Sequence, residues 1–223
     1  MDLSEDLSIN EEIRSYKDRL RIFLILYFFS EPYSDSEFPS RKKIFRTEVR
    51  IQKLDFLLRN PDYLAYELLL LAESDEKQKN EIQTHVKSIF DNKEPIFKRL
   101  EMERFFFGAY EDIDDVIGFL IGIGFIDYKS ETTVSLKSVE KEYFITDYAI
   151  DKVESLLQSL SQLTWYVNRC KLIRNYFGNK TGNELKVAQY KISEYRDTSY
   201  KDYITEISSK VKEKYEQLFN LEL

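Results

Sequence analysis

Residues 110–157 read YEDIDDVIGFLIGIGFIDYKSETTVSLKSVEKEYFITDYAIDKVESLL. An acidic start leads into an apolar run, which Gly124 interrupts. Two short segments rich in aromatic and β-branched residues follow, 125–129 and 142–146, with a polar excursion between them. A second amphipathic pattern begins at Asp147. This order predicts a helix, a strand, a polar loop, a second strand and another helix.

The first helix of this stretch has an apolar face at helical spacing, formed by Val116, Ile117, Leu120 and Ile121. Gly118 and Gly122 allow a neighbouring helix to approach closely, and Gly124 can take the left-handed conformation that ends a helix. Thr146 or Asp147 can cap the helix that follows the second strand. A helix, a strand, a wing, a strand and a helix in this order indicate a winged helix. The alternative is a generic helix followed by a hairpin.

The rest of the chain is predicted to be almost entirely helical. Helices are expected over residues 10–30, 44–59, 61–72, 82–90, 95–107, 147–177, 183–194 and 200–219. The expected fold class is therefore mainly α with a small β wing, in which a winged-helix core is flanked by N-terminal helices and a C-terminal helical tail. The corresponding regions are 1–80 (N-terminal helical), 81–157 (winged helix) and 158–223 (helical tail).

Composition limits the class of protein. The 223 residues are 43% hydrophobic and 33% charged, which suits one large or two small globular domains. The single cysteine, Cys170, permits no internal disulfide, and the polar N-terminus does not resemble a signal peptide. The longest apolar runs are far shorter than the roughly 20 residues that a membrane span needs. We therefore expect a cytoplasmic protein that does not enter a membrane.

The charge of the predicted winged helix is unusual for a DNA-binding protein. The recognition helix of such proteins enters the major groove near its N-terminal end. Here that end carries Glu111, Asp112, Asp114 and Asp115, and carboxylates repel the phosphate backbone. The net charge of the chain is also −7. The sequence therefore predicts that this face contacts protein or only supports the fold.

Basic residues concentrate in another segment, formed by Arg41, Lys42, Lys43, Arg46, Arg50 and Lys53. On a helix, Arg46, Arg50 and Lys53 would share one face, because their spacing is i, i+4 and i+7. A looser cluster is formed by Arg169, Lys171 and Arg174, beside Trp165 and Tyr166. Both clusters are candidate contacts for DNA or an acidic partner, and the alternative is a solvated face.

The sequence predicts no catalytic or metal site. His85 is the only histidine and Cys170 the only cysteine, so a zinc site with ordinary ligands is not expected. The segment GNKTG at residues 178–182 lacks the order of a phosphate-binding loop and is interpreted as a turn between helices. No serine has a recognisable activating base. We therefore expect a protein that is not an enzyme and that uses no cofactor.

Three segments resemble a known family, the middle components of bacterial ABC-ATPase three-component systems. This group includes the LmuC-like subunits of Lamassu anti-phage and anti-plasmid defence. The similar segments are RIQKLDFLLRNPDY at residues 50–63, ERFFFG at 103–108 and RCKLIRNYFG at 169–178. Many members continue the second segment with Tyr-Gly-Pro-Trp-Asp, whereas this chain has Ala109, Tyr110 and Glu111 in place of the last three.

The resemblance implies a non-enzymatic adaptor subunit of an SMC-like ATPase complex in antiviral defence. Such a subunit would bridge the ATPase heads and a separate effector nuclease, and would help couple DNA sensing to effector release. DNA would be a partner as part of the complex. The alternative is a winged-helix transcription regulator that binds a palindromic site as a dimer.

Overall fold

The computed structural model describes residues 3–132, 139–159 and 163–223. The protein is mostly helical with a small antiparallel sheet, which confirms the predicted class. The helices are α1 (Leu3–Phe29), α2 (Glu48–Arg59), α3 (Pro61–Ser74), α4 (Lys79–Asp91), α5 (Glu94–Phe97), α6 (Asp114–Gly122), α7 (Asp147–Ser159), α8 (Thr164–Phe177), α9 (Gly182–Tyr190), α10 (Ser193–Asp197) and α11 (Ser208–Phe219). The strands are β1 (Glu31–Pro32), β2 (Arg41–Arg46), β3 (Glu103–Phe105), β4 (Gly108–Tyr110), β5 (Ile126–Thr132) and β6 (Val139–Thr146).

The chain forms two compact units. Unit 1 combines Met1–Ile51 with Asp112–Gly178, and unit 2 combines Gln52–Glu111 with Asn179–Leu223. Each unit thus joins two distant parts of the sequence, whereas the regions expected from the sequence, 1–80, 81–157 and 158–223, are contiguous. Among the described residues, no helix has both the length and the hydropathy that crossing a bilayer requires.

Unit 1 is built on a four-stranded antiparallel sheet with the strand order β1-β2-β6-β5. The central strand β6 buries three successive side chains, Tyr143, Phe144 and Ile145. Burial of successive residues means that both faces of this strand are covered. Helix α1 packs against α6, α8 and the sheet, and contributes Ile22 and Leu26 to the core.

Strand β2 corrects the prediction of one helix over residues 44–59. Arg41–Arg46 is a strand, Thr47 follows with a φ of 69°, and helix α2 begins only at Glu48. Ile44 pairs with Phe144 of β6, and the side chains of both are buried. A strand is stabilised by partners on its neighbours. Because this neighbour is far away in the sequence, the local pattern did not reveal it.

The predicted helix over 147–177 is also corrected, since the described residues form two helices, α7 and α8. Four residues, 160–163, separate them, and residues 160–162 lie outside the described part of the chain. So does most of the polar excursion between β5 and β6, residues 133–138, on which the prediction of a wing falls. The strands on either side, β5 and β6, pair in antiparallel register from Ile126↔Ile145 to Thr132↔Val139.

Unit 2 is a helical assembly with one small hairpin. Helix α3 packs against α4, α5 and α11, and Phe56, Tyr63 and Tyr195 meet edge to face at its centre. The helix predicted over 95–107 is wrong: α5 ends at Phe97, and residues 103–110 form the β3–β4 hairpin. Helix α11 begins only at Ser208, not near residue 200 as predicted, because residues 201–204 lie along β3.

Candidate functional site

Helix α6 presents one face to the core of unit 1 and leaves the other exposed. Ile117 and Leu120 are buried, and α6 packs against α1. We call its exposed residues and those at its two ends the α6 surface: Asp112, Asp114, Asp115, Gly118, Phe119, Ile121, Gly122 and Ile123. The surface is therefore acidic at one end and apolar along the rest of the helix.

The acidic end of the α6 surface is made by three of the four predicted carboxylates. The Asp112 carboxylate accepts a hydrogen bond from the backbone N–H of Asp114 at 3.0 Å, and carboxylates at this end are favourable to the helix dipole. Within the described part of the chain, Asp112, Asp114 and Asp115 form no ion pair. Their negative charge is therefore available to a partner.

Glu111 does not belong to this surface. It lies in unit 2, where its carboxylate pairs with Arg59. Its backbone N–H donates to the Gln52 side chain at 3.0 Å, and its carbonyl accepts from the Gln52 amide at 2.7 Å. Of the four acidic residues that the sequence grouped, three therefore lie together at the start of α6, whereas Glu111 lies in unit 2 and pairs there with Arg59.

The apolar part of the α6 surface is uncovered. The exposed fractions of Phe119, Ile121 and Ile123 are 36%, 39% and 39%. A Cβ added at Gly118 or Gly122 would meet nothing within 4 Å. The close helix approach expected at these two glycines is therefore not made by the described residues, and this face of α6 is open.

An apolar groove adjoins the α6 surface. It has a volume of about 150 Å³. Helices α1, α6 and α7 contribute most of its lining, which consists of Arg19, Leu20, Phe23, Leu24, Phe119, Leu120, Ile123, Phe125, Val153, Leu156 and Leu163. The Arg19 guanidinium lies 4.0 Å from the centroid of the Phe119 ring. A cavity of this size and lining suits one apolar side chain of a partner.

The predicted basic segment does not form one surface, and β2 carries the first part of it. Arg41 pairs with Asp127 at 3.0 Å, and its guanidinium lies 4.4 Å from the Phe144 ring centroid. Arg46 is exposed but pairs with both Glu31 and Glu142 at 3.4 Å. These two arginines therefore stabilise the sheet and its edges.

The second part of the basic segment lies on α2, where Arg50 is half-buried and Lys53 is buried. Arg50 donates to the carbonyl of Gly178 at 2.5 Å and to that of Phe29 at 3.4 Å, and its burial lowers its pKa. Lys53 is buried in unit 2. The predicted helix face shared with Arg46 is therefore wrong, because Arg46 lies on a strand and the other two side chains bond to backbone and buried groups.

Among the remaining cations of the two predicted clusters, Lys43 of β2 lies near Arg174 of α8, and Lys42 and Lys171 stand one and three residues before them on the same two elements. The pKa of Lys43 is lowered by burial and by the nearby charge of Arg174, while Glu154 opposes this effect. Lys42 of β2 and Lys171 of α8 are exposed, whereas Arg169 is buried beside Trp165. We call Lys42, Lys43, Lys171 and Arg174 the β2–α8 basic surface. None of these four forms an ion pair with a described residue.

Lys53 is part of a buried polar group that sequence reasoning missed. Its ammonium donates to the carbonyl of Ala109 at 3.1 Å and to the Tyr195 hydroxyl at 3.0 Å. Burial, with a contribution from Lys186, lowers the pKa of Lys53 to about 7. No local signal identified its burial, because Gln52 and Lys53 are both polar residues after Ile51 and only tertiary packing buries them.

Glu67 is another buried ionisable group of unit 2. It lies on α3, and burial raises its pKa to about 8, an effect that Lys180 partly opposes. Its Oε1 has no hydrogen-bond partner among the described residues. A carboxyl group in this setting is largely protonated near neutral pH, because burial disfavours the charged form.

Comparison of the chain with protein-family models, curated proteins and solved structures finds no match. In the part of the chain that the structure describes, no group of three or more His, Cys, Asp and Glu side chains is placed to hold a metal ion. The arrangement on unit 1 is instead that of a contact surface, with an open apolar helix face, a groove beside it and three carboxylates at one end.

Proposed function

We propose that this protein is a non-enzymatic adaptor subunit that binds a protein partner through the α6 surface. The observation that carries the proposal is the character of that surface. Interfaces between proteins are depleted in charge at their centre and enriched in aromatic residues, with a polar rim. The α6 surface has Phe119, Ile121 and Ile123 at its centre and carboxylates at its end.

The topology of unit 1 supports a winged helix as its fold. Helix α6 precedes the β5–β6 hairpin, which is the position of a recognition helix before a wing, and β2 pairs with the second strand of that hairpin. In this interpretation, residues 52–111 of unit 2 are inserted between the first strand and the recognition helix. In the same interpretation, strand β2, which sequence reasoning lacked, would belong to the small sheet of a winged helix.

The charge of α6 disfavours the alternative of a transcription regulator. A recognition helix contacts base edges through its N-terminal residues, and these must approach the phosphates closely. Here those residues are Asp112, Asp114 and Asp115, and the helix sequence DDVIGFLIG contains no cation. Each carboxylate adds repulsion where a DNA-binding protein would gain counterion release.

The resemblance described above supports the identity of the partners. The proposed adaptor would bind an SMC-like ATPase, hold a separate effector nuclease and release it when DNA is sensed, as part of antiviral defence in the cytoplasm. The chain would act without a catalytic residue or cofactor of its own. Its surfaces would serve for contact, and chemistry would belong to its partners.

Purification of the tagged chain from its native cells tests this proposal. We expect a large coiled-coil ATPase, identified by mass spectrometry, to co-purify with the wild type. Ile121→Asp places a charge at the centre of the α6 surface without changing the lining of the groove. Because a central interface residue can dominate affinity, we expect recovery of the ATPase to fall about tenfold or more.

The matched control for Ile121→Asp is Ile96→Asp, which changes an exposed isoleucine of unit 2. It should leave recovery unchanged, and circular dichroism should show both variants folded. Equal recovery with Ile121→Asp would remove the α6 surface from the proposal. Recovery of the tagged chain without an ATPase, together with its tight binding to one DNA duplex, would instead favour the transcription regulator.

The β2–α8 basic surface gives a separate prediction about DNA. We expect Lys42→Glu/Lys171→Glu/Arg174→Glu to leave the unfolding temperature within about 2 °C, because exposed substitutions rarely change stability by much. In the assembled complex, we expect the affinity for duplex DNA to fall about tenfold or more, with a weaker dependence on salt, since phosphate contacts release counterions. Titrations at several salt concentrations measure both quantities.

The same charge change at Lys77, Lys87 and Lys212, three exposed lysines of unit 2, is the control. This variant changes the net charge by the same amount. Its substitutions lie in unit 2, whereas the β2–α8 basic surface lies in unit 1. If both triple variants lower DNA affinity by the same amount, the effect is one of net charge and the β2–α8 basic surface has no specific role.

A further inference from the structure

The β3–β4 hairpin of unit 2 exposes two phenylalanines at its tip. Phe106 and Phe107 form the two-residue turn between the strands, and 76% and 70% of their surfaces are exposed. The Phe106 ring lies 4.6 Å from that of Tyr200, which is 46% exposed. Three neighbouring aromatic side chains are thus presented to solvent, although burying them would be strongly favourable.

The hairpin is held in place along β3. The backbone N–H of Lys201 donates to the carbonyl of Arg104 at 2.7 Å, and that of Arg104 donates to the carbonyl of Asp202 at 3.0 Å. The Phe105 ring contacts the rings of Tyr110 and Tyr200, with centroid distances of 5.3 and 5.5 Å. Backbone hydrogen bonds and aromatic contacts therefore hold the β3 side of the hairpin.

The other strand, β4, is held by buried polar groups. The backbone N–H of Ala109 donates to the Tyr195 hydroxyl at 2.7 Å, and its carbonyl accepts from Lys53 at 3.1 Å. The Gln189 amide in turn donates to the carbonyl of Lys53 at 3.1 Å. With both strands fixed, the exposed rings lose little freedom on binding, and such preorganisation favours affinity.

The charges beside the tip indicate what covers it. The Lys186 ammonium lies 4.8 Å from the Phe107 ring centroid, and that of Lys201 lies 5.7 Å from the Tyr200 ring centroid. Neither lysine forms an ion pair with a described residue. A partner with carboxylates around an apolar recess would complement both the rings and these cations.

An acidic membrane fits the tip less well. Glu103 lies on β3 at the base of the hairpin, and Asp202 lies in the segment that bonds alongside β3, so anionic lipids approaching the hairpin would be repelled by both carboxylates. Lipid-binding surfaces concentrate lysine and arginine without such acidic neighbours. The mixed charge of this rim is that of an interface between proteins, in which both signs occur around an apolar centre.

We propose that the β3–β4 hairpin is a docking surface that inserts Phe106 and Phe107 into an apolar, carboxylate-edged pocket of a partner protein. This surface is separate from the α6 surface and lies in the other unit. It gives the protein a second contact, as a subunit that joins two partners requires. The proposal does not depend on which partner binds α6.

Site-specific cross-linking tests this proposal. A photoreactive phenylalanine analogue replaces Phe107 in the full-length chain in its native cells, and mass spectrometry identifies the protein and the peptide that it reaches. We expect one major adduct, on an apolar segment with neighbouring Asp or Glu. The additional substitution Lys186→Glu/Lys201→Glu should lower the yield of that adduct about tenfold, because the complementary charges become like charges.

Three controls separate the outcomes. Ile96→Ser/Phe97→Ser, an equally exposed pair of unit 2, should leave the yield unchanged, and so should Ile121→Asp on the α6 surface. Flotation with vesicles of phosphatidylglycerol and phosphatidylcholine tests the membrane. A yield that persists in Lys186→Glu/Lys201→Glu, an adduct between two copies of this chain, the absence of any major adduct, or flotation abolished by Phe106→Ser/Phe107→Ser would each overturn the proposal.

Discussion

Replacing Gly108 with alanine is expected to lower the free energy of unfolding by about 3 kcal/mol or more, because two separate causes act at this position. Gly108 has a φ of +99°, a conformation that residues with a Cβ rarely adopt. In addition, an added Cβ would lie 2.2 Å from the Tyr195 hydroxyl oxygen and 2.8 Å from the Lys53 ammonium. Both atoms belong to buried side chains that bond to each other and to the backbone of Ala109, so moving them away breaks these hydrogen bonds.

The consequence for the molecule is specific to unit 2. An alanine at this position would displace the groups that hold β4, so the hairpin and its exposed phenylalanines would lose their fixed position. Denaturant unfolding followed by circular dichroism measures the loss of stability. Cross-linking from Phe107 measures the loss of position, and we expect it to become weak and non-specific in the same variant.

Gly118→Ala is the matched control for this prediction. Gly118 lies within α6, and an added Cβ there would meet nothing within 4 Å. Alanine is a better helix former than glycine, so this variant should be more stable by roughly 0.5–1 kcal/mol. If Gly108→Ala were as stable as the wild type, Lys53 and Tyr195 could not lie as close to Gly108 as they do here.

Local patterns predicted the part of the fold around α6 well. The apolar spacing of α6, the Gly124 stop, and strands β5 and β6 all depend on neighbours in the sequence, and each lies close to its predicted position. The carboxylates at the start of α6 could also be identified from the sequence, because acidic residues in the first turn of a helix are usually exposed. Three of the four predicted acidic residues therefore lie together at the start of α6.

Long-range pairing accounts for what could not be predicted. Strand β2 exists because β6 is its partner, and the β3–β4 hairpin is secured by residues 201–204 and by Tyr195. The same reason explains the basic segment. A row of cations in sequence was divided between strand β2, a backbone contact at Gly178 and a buried bond to Tyr195. Burial of Lys53 follows from tertiary packing, and no spacing rule contains it.

The buried carboxyl group of Glu67 predicts an unusual dependence of stability on pH. Its pKa is about 8 in the folded protein against 4.5 for an ordinary glutamate. Below about pH 4.5 it is protonated in both states and adds no pH dependence. As pH rises from there to about 8, the unfolded chain releases this proton while the folded chain keeps it, so stability falls. Glu67 thus destabilises the protein increasingly up to that pH.

Lys53 acts in the opposite direction and at higher pH. Its pKa falls from 10.5 to about 7 on folding, so the folded state prefers the neutral amine. Below about pH 7 the lysine is protonated in both states and its contribution is constant. Between about pH 7 and 10.5 the folded state releases the proton first, and stability rises. The two groups therefore make their least favourable combined contribution near pH 7 to 8, and measurements below pH 7 exclude the contribution of Lys53.

Glu67→Gln should remove this dependence. We expect its free energy of unfolding to exceed that of the wild type by less than about 1 kcal/mol at about pH 5 and by about 3 kcal/mol at about pH 7, since each pH unit above 4.5 and below the folded pKa corresponds to about 1.4 kcal/mol. Denaturant unfolding at the two pH values gives the difference directly. Glu67→Met, which also lacks an ionisable group, should show the same trend, because burial rather than a particular hydrogen bond is the cause. If the advantage of both variants does not grow with pH, the carboxyl group is not buried as described.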